Sequence, residues 1–374
     1  MFEFDPPYTI LAIVAGLAPV FVVATLGMLV TLVGLMALVP NAARLGLVDY
    51  PDARKRHGRP TPLVGGLAIF AGLLVSVAFA APLEATAPIL LAASAFTLLG
   101  LVDDRRDLDG PLRSFVQTGF ISAFVWVSGI TVTDLGLGFE IPSHPGISTV
   151  SFLFTVVAIL GLVNAFNLID GLDGLASGLA IISLVGVGLG AIGSGHGSHA
   201  LTVVVLIAPI AAFWLANMGA LGPRLKTFLG DSGATLLGFL VAVCLIQASQ
   251  PGVAVIDPVF VLWCVAMPVI DTLQVMWNRL RAGRSIFDSD RRHMHYQLVD
   301  MGYSNTQAMT IMLAGSALIV ALGLALTALS PLLSLSVFIV LVVAYANLKQ
   351  LCARLVEARS YLAGHRSRRR FDTL

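Results

Sequence analysis

Charged side chains are scarce in this sequence: Asp, Glu, Lys and Arg make up 11% of its 374 residues, while 57% are hydrophobic. Soluble globular domains carry about 25% charged residues, so the composition excludes an ordinary soluble protein. Apolar runs close to the 20 or so residues that cross a bilayer as a helix recur along the chain. They lie at 9–39, 63–81, 86–102, 115–132, 151–168, 175–192, 201–217, 232–248, 258–279, 307–328 and 332–349. We predict an all-α polytopic membrane protein with about eleven transmembrane helices.

Cysteine is equally scarce, and this excludes two further kinds of protein. Cys244, Cys264 and Cys352 lack the paired spacing of a disulfide framework or a zinc site. The sequence also has no internal repeat of the kind that builds a transporter from two halves. Its net charge of +1 gives no reason to expect nucleic acid as a partner.

The positive charges that do occur are unevenly placed. Between the predicted spans, alternate loops and the C-terminal segment contain all 22 Lys and Arg residues, while the intervening loops contain none. The positive-inside rule places the basic segments in the cytoplasm. We therefore predict a periplasmic N-terminus, a cytoplasmic C-terminus and location in the cell inner (plasma) membrane.

A polar stretch at residues 164–178 interrupts the apolar sequence. In a helix, Asn164, Asn167, Asp170 and Asp173 recur at steps of three, so that neighbours lie near one face, where they could hold a metal ion and a phosphate. The alternative is a polar loop in which Asp173 caps the next helix. Capping alone leaves the other polar residues unexplained beside hydrocarbon, where an unpaired polar group costs several kcal/mol.

Two motifs precede this stretch on the predicted cytoplasmic side. A cationic patch at residues 54–59 is followed by Gly65 and Gly66, where close backbone approach favours anion binding; simple retention of positive charge in the cytoplasm is the alternative. The third span ends in an acidic cluster, in which Asp103 and Asp107 are neighbours on one helical face and can face a divalent cation. Neutralisation by nearby arginines is the alternative for this cluster.

A further motif, at residues 224–235, runs directly into the eighth span. Asp231 lies at or beside the N-cap of that helix, and ordinary capping is one interpretation. The functional interpretation is that Gly230 and Gly233 open the backbone to a phosphate at the positive helix end, while Asp231 holds Mg²⁺ against it. The two interpretations are compatible.

The last large cytoplasmic loop contains a pair of histidines. His293 and His295 lie beside basic residues, a setting that suits an anion. A structural role at the membrane interface is the alternative. Asp271 lies within the ninth span, and we expect it to pair with Arg279 two turns later on the same helical face.

Together these motifs resemble the polyprenyl-phosphate N-acetylhexosamine-1-phosphate transferases over roughly residues 40–310. The matching segments are Arg-Lys-Arg-His at 54–57 with Pro62 and Gly65-Gly66, Asp-Asp-Arg-Arg-Asp at 103–107, the Asn- and Asp-containing stretch at 164–176, Phe-Leu-Gly-Asp-Ser-Gly at 228–233 and Asp-Arg-Arg-His-Met-His at 290–295. Asp107 and the His-Met-His form are similar to the type that uses UDP-GlcNAc. Where that type usually has a second adjacent histidine, this chain has Tyr296.

The resemblance implies transfer of a sugar 1-phosphate, GlcNAc-1-phosphate in the first instance, from a UDP-N-acetylhexosamine to undecaprenyl phosphate. It implies Mg²⁺, or Mn²⁺ in its place, as cofactor, with release of UMP. The reaction would initiate a cell-envelope polysaccharide on the cytoplasmic face of the membrane. We expect one integral membrane transferase domain at residues 1–350 and a basic cytoplasmic tail at 351–374. Membrane lipid and a second copy of the chain are the remaining expected partners.

Carried over residue by residue, the resemblance suggests Asp231 as the Mg²⁺ ligand, helped by Asn167, with Phe228 stacked on uracil. Asp173 would hydrogen-bond the uracil edge, and Asp103 or Asp104 would act on the acceptor phosphate. The other expected catalytic residues are Asp170, His293 and His295, of which the histidines bind the donor diphosphate, and the other expected substrate-binding residues are Arg56, His57, Asn164, Asn217, Arg291 and Arg292.

Other protein classes explain fewer of these motifs. An intramembrane prenyltransferase also binds Mg²⁺-diphosphate through aspartate-rich helices, but it leaves the Gly-Asp-Ser-Gly segment at 230–233 and the histidine pair unexplained. A CDP-alcohol phosphotransferase would need an Asp-Gly-x-x-Ala-Arg run, and the segment after Asp173 lacks the arginine. A lipid or ion transporter would place ionisable residues near mid-membrane, whereas nearly all lie at span ends here.

The charge distribution generates a topology prediction. A reporter that is active only in the periplasm should be inactive when fused after residue 374 and active when inserted in the charge-free loop at 193–200, because only the first position follows a basic segment. Activity of the fusion after residue 374 would contradict the predicted orientation.

Overall fold

The computed structural model describes residues 10–51, 60–141, 148–287 and 292–371. One small antiparallel sheet pairs β1 (Val48–Asp49) with β2 (Thr61–Pro62), and short 3₁₀ helices lie at Val39–Asn41 and Pro223–Leu225. The α-helices are α1 (Ile10–Leu38), α2 (Gly65–Ala80), α3 (Leu83–Arg106), α4 (Gly110–Ser128), α5 (Thr149–Ile169), α6 (Leu175–Gly193), α7 (Gly197–Asn217), α8 (Gly230–Ser249), α9 (Pro258–Cys264), α10 (Ala266–Arg281), α11 (Met294–Asp300), α12 (Asn305–Leu329) and α13 (Pro331–Phe371).

The helices confirm an all-α polytopic membrane protein. Within the described ranges, 8 helices are long and apolar enough to cross a membrane, and α9 with α10 is a ninth candidate span that bends by 74° at its break. Each of the predicted apolar runs coincides with a helix, but α2 has only 16 residues and α4 is less apolar. The count of eleven crossings and the orientation of the termini therefore stay predictions. Because α13 continues to Phe371, the predicted boundary at residue 350 falls inside a helix.

The core helix of the protein is α8. Of its apolar stretch, 89% is buried inside the protein, against 6% for that of α13. It packs on α2, α3, α5 and α6. Lipid tails are as apolar as leucine, so close packing and hydrogen bonds, more than the hydrophobic effect, hold such a helix among its neighbours.

Glycines allow two helices to approach the first turn of α8. A Cβ atom on Gly66 of α2 would lie 2.2 Å from the backbone nitrogen of Gly233, and one on Gly100 of α3 would lie 2.3 Å from the backbone nitrogen of Ser232. Only glycine permits backbones to pack this closely. The close backbone approach expected at Gly66 therefore serves helix packing, and the expected anion contact at this residue is not needed to explain it.

Hydrogen bonds fix the segment before α8 beside the segment before α2. The backbone N–H of Phe228 donates to the carbonyl of Pro62 (2.8 Å), and the N–H of Gly65 donates to the carbonyl of Phe228 (3.1 Å). The Thr227 hydroxyl also donates to the carbonyl of Pro62, at 2.9 Å. Thus α2 and α8 start side by side, and Phe228 has a fixed backbone.

The packing at Gly66 generates a stability prediction. Gly66→Ala should lower the free energy of unfolding by about 1–3 kcal/mol, because the new methyl group meets backbone that cannot rotate away. Gly119→Ala in α4 is the matched control, since a Cβ there would meet nothing within 4 Å in the described part of the chain. Thermal unfolding of both variants in detergent is the measurement. Equal unfolding midpoints for the two variants would contradict the close packing of α2 on α8.

Candidate active site

Two aspartates and an asparagine meet at the N-terminus of α8. Asp104, near the end of α3, accepts hydrogen bonds from the backbone N–H groups of Asp231 (2.8 Å) and Ser232 (3.3 Å). The N–H groups of a first helical turn favour a negatively charged acceptor, so Asp104 caps α8 from another helix. Asn167 of α5 donates from its amide to the carboxylate of Asp231.

This arrangement corrects one prediction. Asp231 was expected to cap α8 and to leave the helix end open to a phosphate between Gly230 and Gly233. Instead, the N–H groups of Asp231 and Ser232 are bonded to the Asp104 carboxylate. The side chain of Asp231 contacts Asn167 and lies close to the carboxyl group of Asp103.

Asp103 and Asp107, two further aspartates of the acidic cluster, have different surroundings. Asp103 is 3% exposed and accepts hydrogen bonds from the guanidinium of Arg113 (2.6 Å) and the backbone N–H of Leu108 (2.8 Å). Asp107 is exposed and lies beyond the end of α3 with a left-handed backbone (φ 50°). The predicted shared face of Asp103 and Asp107 is therefore wrong, because the helix stops between them. The alternative interpretation, neutralisation by a nearby arginine, holds for Asp103, which pairs with Arg113.

The central polar stretch is not one continuous helix. It leaves α5 at Ile169 and enters α6 at Leu175, and the loop between them contains Asp170 and Asp173. The predicted alignment of four polar residues on one helical face is wrong, because the two Asp-Gly pairs of this segment favour a turn. Gly174 supplies it with a positive φ of 75°, which costs glycine little.

Asp173 is held by two side chains from other elements. Its carboxylate accepts hydrogen bonds from Lys226 (2.6 Å) and Asn217 (3.3 Å). Asn217 is 4% exposed, accepts from the N–H of Gly174 (2.5 Å) and donates to the carbonyl of Thr227 (2.8 Å). Asp173 therefore does not cap α6. We assign Asn217 a positioning role for this loop in place of the nucleotide contact expected from the sequence.

Asn164 faces another helix. Its amide donates to the carbonyl of Leu160 in the preceding turn (2.9 Å) and to the side chain of Gln117 in α4 (3.3 Å). Gln117 is fully buried. Asn164 thus donates to the side-chain oxygen of a buried glutamine between α5 and α4, which does not support the direct substrate contact expected for it.

The histidine pair lies against the central loop. The rings of His293 and His295 are nearly parallel, with centroids 5.7 Å apart, and His295 is fully buried. A Cβ on Gly171 would lie 2.1 Å from Nε2 of His295, so the imidazole touches the loop between α5 and α6. The ring of Tyr296 packs on His295 at 4.1 Å. The structure therefore brings the last motif to the central one, as a shared site requires.

Asp271 does not pair with Arg279 as predicted. Its carboxylate is bonded to His293 (2.7 Å), Tyr345 (3.1 Å) and Lys349. Arg279 instead donates to the carbonyl of Ile286. Sequence position alone favoured the partner on the same helix, whereas tertiary packing supplied one from α13.

Three expected substrate-binding residues, Arg56, His57 and Arg291, lie outside the described residues. Arg292 is described, and it is exposed beside the buried histidines. Among the described residues, the side chains of the site that can bind an anion are thus those of Arg292, Lys226 and the histidine pair.

Negative charge is concentrated around Asp170. Burial raises the pKa of its carboxyl group well above the usual value, and the neighbouring carboxylates of Asp231, Asp173 and Asp104 raise it further. Crowded carboxylates of this kind repel one another unless a proton or a cation lies among them. The charge distribution of the site therefore favours a bound cation.

The donor atoms of the site fit Mg²⁺. Among the described residues, no three His, Cys, Asp or Glu side chains form a group that could hold a metal by themselves. Mg²⁺ is commonly bound by one or two carboxylates together with substrate phosphates, so a complete protein cage is not needed. Asp231 supplies a carboxylate, and Asn167 orients it by donating a hydrogen bond from its amide NH₂ group. The side-chain oxygen of Asn167 would face a Mg²⁺ ion bound by Asp231 only if the amide were rotated.

Comparison with known proteins adds an independent finding. The sequence model of glycosyl transferase family 4 matches residues 86–249. An undecaprenyl-phosphate alpha-N-acetylglucosaminyl 1-phosphate transferase of Yersinia pestis is 37% identical over 283 residues, which cover 75% of this chain and 77% of the relative. Proteins of the same name from Escherichia coli K12 (34% over 286 residues, 75% and 77%) and Haemophilus influenzae (34% over 295 residues, 78% and 82%) are also similar. The chain belongs to glycosyl transferase family 4.

In this family 4 member, several site residues escaped the sequence analysis. Lys226 and Thr227 lie within the motif at residues 224–235 but had no assigned role, and Lys349 was counted as a topology signal although it is only 2% exposed. Asp271 and Lys349 share one usable signal: both are ionisable and lie within or at the end of an apolar run, where such residues pair with each other. No comparable signal marks Lys226.

The contact of His295 with the loop generates a prediction for this family 4 member. Gly171→Ala should reduce turnover by at least about tenfold, since the methyl group displaces the imidazole from the site; tenfold corresponds to about 1.4 kcal/mol. Gly161→Ala in α5 is the control, because a Cβ there has no described atom within 4 Å. The rate of product formation is measured for both purified variants and compared with that of the wild type. Full activity of Gly171→Ala would show that His295 does not act at this loop.

Proposed function

We propose that this protein transfers GlcNAc-1-phosphate from UDP-GlcNAc to undecaprenyl phosphate at the cytoplasmic face of the inner membrane, releasing UMP and initiating a cell-envelope polysaccharide. In net terms, an oxygen of undecaprenyl phosphate bonds to the phosphorus that carries the sugar, and the bond from that phosphorus to the UMP oxygen breaks. The names of the relatives support the acceptor and the transferred group.

One observation carries the proposal: carboxylates from three separate chain segments meet at the start of α8. Asp104, Asp231 and the loop with Asp170 lie close enough for their charges to act on one another. Two anionic substrates repel each other, and positioning them in line is most of the catalytic task in phosphoryl transfer. A divalent cation held by Asp231 together with the substrate phosphates, with the histidine pair binding the diphosphate, suits that task.

The chain's own residues have distinct proposed roles. Asp231, oriented by Asn167, would hold Mg²⁺, or Mn²⁺ in its place, and the cation supplies charge neutralisation of the diphosphate. Phe228 stacks on uracil, and Asp173 accepts from the uracil edge while Lys226 and Asn217 hold it. His293 and His295, with Arg292, bind the donor diphosphate. Asp104 fixes the helix end at which the acceptor phosphate arrives.

A direct assay tests the proposal. Purified protein incubated with radiolabelled UDP-GlcNAc, undecaprenyl phosphate and Mg²⁺ should form a radiolabelled lipid and an equal amount of UMP, and EDTA should stop both. Absence of a labelled lipid with UDP-GlcNAc and with other UDP-N-acetylhexosamines would overturn the proposed reaction.

The metal role generates its own prediction. Asp231→Asn should keep the fold but retain less than about a tenth of the wild-type rate, a loss above about 1.4 kcal/mol, because an amide is a poorer Mg²⁺ ligand than a carboxylate. Asp109→Asn is the matched control, since Asp109 is exposed before α4. Initial rates over a range of Mg²⁺ concentrations should separate the variants. A rate for Asp231→Asn close to that of Asp109→Asn would contradict the proposal that Asp231 is a Mg²⁺ ligand.

The identity of the sugar is tested at Tyr296. Tyr296→His should be nearly neutral, because a phenol can replace a histidine as a neutral hydrogen-bond donor at the edge of the proposed phosphate site and Arg292 remains nearby. His295→Ala should lose two orders of magnitude, about 2.7 kcal/mol. Both variants are assayed at saturating and limiting UDP-GlcNAc. A switch of preferred sugar in Tyr296→His would make the tyrosine a specificity residue and count against GlcNAc.

A further inference from the structure

Asp271 is a carboxylate with 0% exposure, in the bent candidate span formed by α9 and α10, and the proposed reaction does not use it directly. One of its oxygens lies 2.7 Å from Nδ1 of His293. The other accepts the backbone N–H of Met294 at 3.1 Å. Asp271 therefore contacts both the ring of one active-site histidine and the first residue of α11, the short helix that carries His295.

The last long helix, α13, holds this carboxylate in place. The ammonium group of Lys349 donates to the Asp271 carboxylate and to its backbone carbonyl (3.3 Å), and the Tyr345 hydroxyl donates to the carboxylate at 3.1 Å. Lys349 is itself only 2% exposed. A buried charge without a partner costs several kcal/mol, so Lys349 makes an ionised Asp271 tolerable at this position.

We propose that Asp271 is the positioning residue of the histidine pair: its carboxylate accepts a hydrogen bond from the Nδ1 proton of His293 and stabilises the doubly protonated ring, whose Nε2–H donates to the donor diphosphate. The inference rests on the proposed function for the identity of that anion. A carboxylate beside one ring nitrogen of a histidine favours the charged ring, in which both nitrogens are hydrogen-bond donors. Through Lys349 and Tyr345, α13 becomes part of the support of the active site although it lies outside every recognised motif.

The arrangement of donors makes one substitution decisive. Three donors, the Met294 N–H, the Tyr345 hydroxyl and the Lys349 ammonium, surround the same oxygen of Asp271. In Asp271→Asn the amide oxygen must take that position, so the NH₂ group faces Nδ1 of His293. A donor at this place forces Nδ1 to accept, so the ring keeps only its Nε2 proton and loses its positive charge. The substitution preserves the size and shape of the side chain while removing the Nδ1 proton of His293.

Nitrogen NMR of ¹⁵N-histidine-labelled protein in lipid nanodiscs measures this directly. The chain has only 7 histidines, and His293→Gln identifies the signal of His293 by its loss. We expect Nδ1 of His293 to carry a proton in the wild type and none in Asp271→Asn. An unchanged protonation state of Nδ1 overturns the proposal, whatever the activity of the variant.

Kinetics supply the second readout. In Asp271→Asn, kcat/KM for UDP-GlcNAc should fall about a hundredfold, while KM for undecaprenyl phosphate stays within about twofold, because only the donor side loses the positive charge of His293. Ser334→Ala is the control on α13, since it removes the buried hydrogen bond to Trp263 (2.9 Å) without touching the histidines, and it should leave both constants unchanged. Equal loss toward both substrates in Asp271→Asn would indicate general disruption and overturn the positioning role.

A double variant keeps the proposal testable if Asp271→Asn does not fold. Asp271→Leu combined with Lys349→Met removes the acceptor and its counter-charge together, and apolar replacement of a buried ion pair is often neutral or stabilising. It should unfold near the wild-type temperature and show the same loss of kcat/KM for UDP-GlcNAc. A folded double variant with more than a third of wild-type kcat/KM overturns the proposal. Inactivity of the wild type toward every UDP-sugar would instead overturn the proposed function and leave the NMR result standing.

Discussion

The cap that Asp104 places on α8 is the interaction on which the rest of the site depends. It fixes the backbone of Asp231 and Ser232 at the end of the most buried helix. Gly66 and Gly100 allow α2 and α3 to reach the same turn. The candidate site is therefore supported by helix ends whose backbones pack in direct contact, which leaves little room for the first turn of α8 to move.

Burial separates the ion pairs of the site into two kinds. Lys226 and Asp173 are each about a third exposed, so their ion pair contributes under about 1 kcal/mol and can be exchanged for a ligand at little cost. Lys349 and Asp271 are buried, and removal of either partner would cost about 3–5 kcal/mol. The exposed pair of Lys226 and Asp173 is therefore suited to contact with substrate. The buried pair of Lys349 and Asp271 is suited to holding other active-site residues in place.

Sequence alone predicted the helices well, because long apolar runs have few alternatives in a membrane. The placement of the motifs on one face of the membrane agrees with the contact between Gly171 and His295, which the sequence did not predict by itself. Sequence alone could not predict partners that meet only through the fold. Asp104 lies 127 residues from Asp231, and Lys349 lies 78 residues from Asp271. Local patterns misled where helix ends decide geometry: Asp107 and Asp170 lie beyond the ends of α3 and α5, so spacing rules for helices did not apply to them.

The central claim is that donor and cation bind at the start of α8, and a cryo-electron microscopy structure of the protein with UDP-GlcNAc and Mg²⁺ tests it most directly. The account predicts the uracil ring on Phe228 beside Asp173, the cation on Asp231 and the diphosphate between the cation and the histidine pair. Nucleotide bound in a different cleft, or a cation held by Asp103 or Asp107 with Asp231 unoccupied, would contradict it.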